Sequence, residues 1–431
     1  MAQTRRRRLS AGIVNASLIL YMAWLLLPAV QAALHAVFGA ATVVLFGAGV
    51  LLDVETLRRR WADLLLRAAL MAALPLFLFF LLGRGGGNLP AYLAQQGMFW
   101  FPMVWFAYAR ERGDARLWRF VRPVFMAAVL LTTLTTIGWL VEGLLRGGKV
   151  YAYARSLGSG APGTGAYLRE LMGKNIGGYD FVYATVLLLP VTFALAGRAR
   201  GARRCGFIVF YGLQLLLVGL SQYTYAILFA AGVTAVELLA LLLRAVFRRM
   251  GVGASLAWAL PFMAALWLLR VPLITWAGGV AAGMGFANAQ YSLSQLLLMV
   301  TGVAVDAGSR LATYATPLAG FAASPLVGTL FGGTPLLGMH SDLLDMLSAT
   351  GLLGTALFAL GAWRVGRAAQ RGLWRSPARA QLLAQWCLLL CCLVLGTVFY
   401  SRELPLAMCM GFLLLAGEPE ATPMTAEVRG V

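Results

Sequence analysis

The chain has 431 residues, of which 61% are hydrophobic and only 12% charged, with a mean hydropathy of +0.79. That leaves too little polar surface for a soluble globular domain. A net charge of +19 would point to nucleic acid in a soluble chain, but Lys and Arg beside apolar spans orient them and attract anionic headgroups, so the expected partner is the lipid bilayer and not a nucleic acid.

The fold class expected is all-α, a polytopic membrane protein. The apolar runs reach the ~20 residues a spanning helix needs, and they are apolar on every face, unlike the short alternating strands of a β-barrel. In chain order, Arg5–Arg8 and the apolar run to about Ala29 carry the charge pattern of a signal peptide. A second apolar run follows at once, so an uncleaved first span is expected. Reading apolar runs between charged clusters gives about twelve spans, near 9–29, 32–52, 64–83, 91–109, 122–141, 178–197, 206–221, 223–243, 254–276, 343–363, 381–400 and 403–417. They form a single integral membrane domain over residues 1–431.

With twelve spans, most of the 35 Lys and Arg fall in short loops on one side, as the positive-inside rule requires of a cytoplasmic face. The other side keeps two larger segments, 142–177 and 277–342. Neither has the polar content of a soluble domain, and both are expected to be short amphipathic pieces that lie over the bundle and roof a cavity. Residues 290–304 are a candidate re-entrant helix, because ~15 apolar residues is short for a span. The 49 glycines fit close helix packing in lipid. The five cysteines lie in or beside apolar runs and form no Cys-x-x-Cys or Cys/His cluster, so no disulfide framework and no metal site are expected.

Chemistry concentrates in Asp306–Gly354. Arg310 stands in a mostly apolar stretch, where a charge is costly unless it is paired or serves a ligand. Its planar guanidinium grips phosphate oxygens with two parallel donors, which an ammonium cannot do. An i,i+4 ion pair with Asp306 is the structural alternative. His340, one of two histidines, opens the apolar run that follows. A neutral imidazole there is suited to accept a proton from a hydroxyl, with Asp342 or Asp345 to orient the ring. A structural histidine is the competing account, and His35 is expected to be packed or interfacial. Two further stretches stand out. Leu220-Ser221-Gln222-Tyr223-Thr224-Tyr225-Ala226 offers hydroxyls and an amide at the outer surface, with aromatics of the interfacial belt kind. Gly173-Lys174-Asn175-Ile176-Gly177-Gly178-Tyr179 is a glycine-rich approach to a span; it lacks the strand and Gly-Lys-Ser/Thr of a nucleotide loop.

Together these residues resemble the signature loop of the O-antigen polymerase and ligase superfamily: Arg310, Ser324-Pro325-Leu326-Val327-Gly328, His340-Ser341 and Gly351-Leu352-Leu353-Gly354. The run Gly177-Gly178-Tyr179-Asp180-Phe181-Val182-Tyr183 is also similar to exopolysaccharide repeat-unit polymerases of that superfamily. The resemblance implies an inverting, metal-independent glycosyltransferase without a cofactor, on the outer face of a bacterial cytoplasmic membrane. Its donor would be an undecaprenyl-pyrophosphate-linked glycan, and a flippase and chain-length regulator would be its functional partners. It implies that His340 and Arg310 are catalytic and that Tyr314, Ser341, Asp345 and Tyr179 contact substrate. Many members carry Ser-Arg at the outer start of the span matching 220–226, where this chain reads Gln222-Tyr223-Thr224, so the second phosphate-binding cation either comes from elsewhere, Arg402 and Arg270 being the candidates, or is absent.

Three functions remain in view: a repeat-unit polymerase; a ligase of the same fold that moves glycan onto a lipid or protein acceptor; and a polysaccharide or lipid transporter. A transporter should show midplane charges or paired broken helices related by an internal repeat, and Glu237 is the one residue read as deeply intramembrane.

Overall fold

A computed structural model of the chain describes residues 2–53, 70–75, 77–78, 100–106, 108, 115–147, 164–247, 252–283, 285–286, 290–291, 293–294, 297–298, 301, 310–329, 336–338, 340–370, 379–396, 398, 401 and 403–415. Every regular element among them is a helix: α1 Ala2–Leu26, α2 Pro28–Leu51, α3 Ala115–Gly147, α4 Thr164–Gly173, α5 Tyr179–Arg198, α6 Ala202–Ser221, α7 Thr224–Phe247, α8 Val252–Gly283, α9 Arg310–Ala323, α10 Asp342–Ala369, α11 Arg379–Leu395 and α12 Glu403–Leu415. By length and composition six of the described helices are able to cross a membrane: Arg5–Leu26, Phe120–Arg146, Tyr179–Arg198, Ala202–Ser221, Tyr225–Leu242 and Asp342–Arg367. The mutually bent pieces Pro28–Leu34 and Val37–Leu51 make a seventh if they form one span. The protein is therefore an all-helical, multi-pass membrane protein. Most of the expected spans 64–83 and 91–109, and most of the candidate re-entrant stretch 290–304, lie outside the described residues.

α5 is the centre of the bundle. It is buried at every position from Phe181 to Thr192, and α6, α7, α11 and α12 pack around it. A helix apolar on all faces is expected in such a place. α12 is short for a reason of the same kind. Leu404–Leu413 are all buried, and 13 residues reach only ~20 Å, against the ~30 Å of a hydrocarbon core. Protein, not lipid, surrounds this helix, and the expected span 403–417 is a core helix over its described length. Its last carbonyls are capped from two neighbours: the guanidinium of Arg122 donates to Leu413 O at 2.9 Å and that of Arg198 to Leu415 O at 3.1 Å. Cations belong at a helix C-terminus, where the dipole is negative.

These contacts define two ends. The ends of α5 and α12 and the start of α3 lie together, with Arg122 and Arg198. The starts of α5, α10 and α12, the end of α11 and the α6–α7 turn lie at the other, with His340.

Small residues let the helices approach. A side chain at Gly39 of α2 would meet the Trp24 ring of α1 at 2.6 Å, the close contact expected where burial of apolar area no longer drives association. At the His340 end, α4 stops in a left-handed turn at Asn175 (φ +59°). Ile176 N–H bonds Leu171 O at 3.1 Å, Asn175 N–H bonds Met172 O at 2.9 Å, and Leu171 and Ile176 are buried against Trp139. This is a Schellman cap with its apolar contact. The Asn175 amide then donates to Thr132 Oγ1 at 3.1 Å, Thr135 Oγ1 donates to Asn175 O at 2.6 Å and Gly177 N–H donates to Thr136 Oγ1 at 2.8 Å. The threonines of α3 thus fix where α5 begins, and with it Tyr179.

Candidate functional site

α9 and the loop after it form a hairpin against α10. Gly338 lies against Thr313 O and Pro317 of α9, and a side chain at Gly320 would meet Leu336 at 3.1 Å and Ser348. Ser348 Oγ donates to Leu336 O at 2.8 Å and Gly338 N–H donates to Asp345 Oδ1 at 2.8 Å. Thr313 is therefore level with Asp345, Gly320 with Ser348, and the tip Ser324–Thr329 with Ala349–Leu353. From Asp342 to Gly351 is about 14 Å along the axis at 1.5 Å per residue.

At that depth α10 is broken. Gly351 has φ +64° and ψ −168° inside the helix, which frees carbonyls before it and N–H groups after it. Unpaired backbone groups inside an apolar bundle cost several kcal/mol each. The hairpin tip takes them up: Leu352 N–H donates to Pro325 O at 2.8 Å, Leu353 N–H to Leu326 O at 3.0 Å, and Thr329 N–H to Ala349 O at 3.2 Å. Gly328, also left-handed at φ +59°, sits so close that a side chain on it would meet the Gly351 nitrogen at 2.6 Å. The Pro-x-x-Gly and Gly-x-x-Gly stretches, 25 or so residues apart, are two halves of one interlock. The sequence reading laid residues 277–342 over the bundle and gave the re-entrant role to 290–304. Among the described residues it is 310–329 and 336–338 that dip along α10, because the break at Gly351 supplies the backbone partners a tip at that depth must have.

The head of α10 is equally determined. Ser341 and Asp342 are buried, as is Asp345. Ser341 Oγ accepts the Leu344 N–H at 3.2 Å, an N-cap. Asp342 N–H donates to Gly396 O at 3.0 Å, and Asp342 Oδ2 accepts the Val398 N–H. The expected span 381–400 ends as helix at Leu395, where Gly396 O and Val398 N–H bond Asp342 instead of continuing the helix. Two carboxylates in the first turn also favour the positive end of the helix dipole. His340 itself is exposed at the bend that leads into this cap.

A group of tyrosines adjoins it. The Tyr179 ring lies 4.6 Å from Tyr183 and 5.0 Å, edge-on, from Tyr223. A side chain at Gly396 would come within 3.5 Å of the Tyr179 hydroxyl. Tyr314 of α9 shares a 3.1 Å hydrogen bond with Tyr225 of α7 and donates to Leu395 O at 3.4 Å. Contacts thus run from the α6–α7 turn through Tyr179 and Gly396 to Asp342, two residues after His340.

Of the residues singled out from sequence, His340, Ser341, Asp345, Tyr314 and Tyr179 come together. Ser341 and Asp345 are buried and bonded to backbone, so they set the position of α10 and of Gly338. Arg310 is the first residue of α9, one turn before Tyr314; its side chain, with Asp306 and Arg402, lies outside the described residues. Arg270 is half-buried in α8, which packs on α7. Arg146 and Lys174 are in exposed i,i+4 pairs with Glu142 at 2.6 Å and Glu170 at 2.7 Å. Ser221 and Gln222, expected at the outer surface, are buried, because α6 and α7 both pack on α5 and draw their connecting turn inward. Tyr223 and Tyr225 were legible only as belt aromatics, and Tyr183 only as part of the 177–183 run; their spacing contained no sign that Tyr223 and Tyr183 meet Tyr179 or that Tyr225 meets Tyr314. Among the described residues no group of three or more His, Cys, Asp or Glu is placed to hold a metal ion.

The chain matches no protein-family model, no curated protein and no solved structure.

Proposed function

We propose that the protein is a membrane glycosyltransferase that polymerises undecaprenyl-pyrophosphate-linked repeat units on the outer face of a bacterial cytoplasmic membrane. What carries this reading is the interlock of the hairpin tip with the break in α10, since it joins the separate stretches that resemble the O-antigen polymerase and ligase signature and leaves an exposed histidine at the head of the same helix. In the proposed reaction His340 removes the proton of an acceptor hydroxyl. The oxygen bonds to the anomeric carbon with inversion, and the bond from that carbon to pyrophosphate breaks. The lipid pyrophosphate leaves with its charge stabilised by Arg310. Pyrophosphate is a good leaving group, so positioning and charge stabilisation do most of what is required. A ligase acting on another acceptor would use the same groups, and the acceptor decides between the two.

The test is transfer by purified protein in lipid nanodiscs, with a lipid-pyrophosphate oligosaccharide as donor. Arg310→Lys should impair transfer although it keeps the charge, because the planar fork is lost, and Arg310→Ala should be worse. Equal losses for Asp306→Ala and Arg310→Ala, with falling protein levels, would instead assign Arg310 to an ion pair.

Orientation follows from charge. Arg5–Arg8, Arg122, Arg198, Arg203 and Arg204 belong to the end opposite His340, which favours a cytoplasmic position for that end. With the cysteines at 205, 387, 391, 392 and 409 replaced, Gly173→Cys should react with an impermeant thiol reagent in intact cells and Ala202→Cys should not. The reverse pattern would put His340 in the cytoplasm and end the proposal.

The break in α10 also favours a transporter, since broken helices mark transport sites. There, however, freed backbone groups coordinate the cargo. Here Ala349 O and the Leu352 and Leu353 N–H groups are bonded to the hairpin tip, which supports the enzyme.

A further inference from the structure

Gln222 joins α6 to α7 in the left-handed region, at φ 54° and ψ 22°. A non-glycine residue there is uncommon, and such backbone strain gathers at ligand sites. The turn itself needs only a residue that tolerates positive φ, with its N–H near Gly219 O at 3.4 Å. Glycine or asparagine would serve. The chain instead carries a long carboxamide that is 1% exposed, and neither its nitrogen nor its oxygen has a hydrogen-bond partner among the described residues. Buried amides are ordinarily paired, and one that is not calls for an account.

The surroundings supply it. Tyr223, the next residue, is edge-on to Tyr179, which is tilted against Tyr183. Tyr225 and Tyr314 meet through their hydroxyls. Tyr179, Tyr223, Tyr225 and Tyr314 are half-buried, and Gln222 directly precedes Tyr223 in the turn. These six residues are uncharged, which suits a phosphate poorly, since phosphate draws cations. A carboxamide offers one acceptor and two donors, matching two adjacent hydroxyls that each give and take a hydrogen bond. Aromatic faces cover the C–H face of a sugar ring. Apolar walls with a few placed polar groups are how small-molecule sites fix orientation.

We propose that Gln222, with Tyr179, Tyr223, Tyr225 and Tyr314, forms a sugar-ring subsite in which the carboxamide holds a pair of ring hydroxyls. Its place beside the head of α10 makes it the subsite for the residue next to the transferred bond; that role rests on the transferase reading, while sugar binding does not.

The experiment is saturation-transfer NMR on the full chain in nanodiscs, with methyl glycosides of glucose, galactose, mannose, rhamnose and N-acetylglucosamine as probes. Wild type and His340→Ala should both show transfer to at least one glycoside. Gln222→Gly relieves the left-handed backbone, so its thermal stability should hold while the signal falls by about an order of magnitude, the loss expected for a buried hydrogen-bonding group. Gln222→Asn keeps a carboxamide and tolerates positive φ, and should restore part of it. Tyr223→Leu should lose the signal as well. The subsite is overturned if no glycoside gives a signal with wild type, if Gln222→Gly binds as wild type does, or if Gln222→Gly loses binding of undecaprenyl phosphate but not of glycosides. Wild type that binds glycosides yet transfers none would overturn the transferase reading and leave the subsite standing.

Discussion

His340→Ala is expected to remove most glycosyl transfer, by a factor of ~10²–10⁴, the usual contribution of a positioned general base, while its abundance in the membrane stays near that of wild type. The structural reason for normal abundance is that His340 is exposed, whereas the cap and anchors of α10 are supplied by Ser341, Asp342 and Asp345. A base must be neutral to act, so wild-type activity should fall on the acid side. His340→Gln, which keeps a hydrogen-bonding side chain but cannot carry the proton, should be as poor as alanine. The measurement is turnover of a purified lipid-pyrophosphate oligosaccharide by the three proteins across pH. Near-normal turnover by His340→Ala at every pH would remove the base role and leave leaving-group ability and positioning to account for the reaction.

The second large effect is expected at Gly351. Its φ of +64° with ψ near −168° is a region open essentially to glycine. A β-carbon there would also run into Leu326 O and the Gly328 N, which are backbone atoms and cannot swing aside. Gly351→Ala must therefore displace the hairpin tip and break the Leu352–Pro325 and Leu353–Leu326 hydrogen bonds. Strain of about 1–3 kcal/mol and two lost hydrogen bonds at about 1 kcal/mol each are a large part of the 5–15 kcal/mol by which proteins are stable. The expected readouts are a lower midpoint of thermal unfolding and faster hydrogen exchange over 310–329 than elsewhere. Gly328→Ala should do the same, and the double variant should cost less than the sum, since both changes break one interlock. Gly212→Ala is the control: it lies inside α6 with no atom within 4 Å of the added carbon, and should not lower stability. A Gly351→Ala protein as stable as wild type would show that the tip does not seal the break.

The membrane class and the positions of α1, α3, α5, α6, α7 and α10 were determined by the sequence itself, because hydropathy is a property of consecutive residues and a spanning helix needs little else. The arginines gathered at one end of the bundle were legible for the same reason, as was the interruption of the apolar pattern by glycines, prolines and polar residues in 306–354. Tertiary structure alone decided the rest. The stop of α11 at Leu395 comes from Asp342, more than fifty residues earlier, which bonds Gly396 O and Val398 N–H. α12 is a core helix because α3, α5 and α11 cover it, not because of its own composition. The tip at Ser324–Thr329 goes to Ala349–Leu353 because broken backbone hydrogen bonds inside an apolar bundle must find partners, wherever in the chain those lie. Gln222 is enclosed because α6 and α7 both pack on α5. Each of these depends on which surfaces meet, and hydrophobic periodicity reports that a face will be covered without reporting by what.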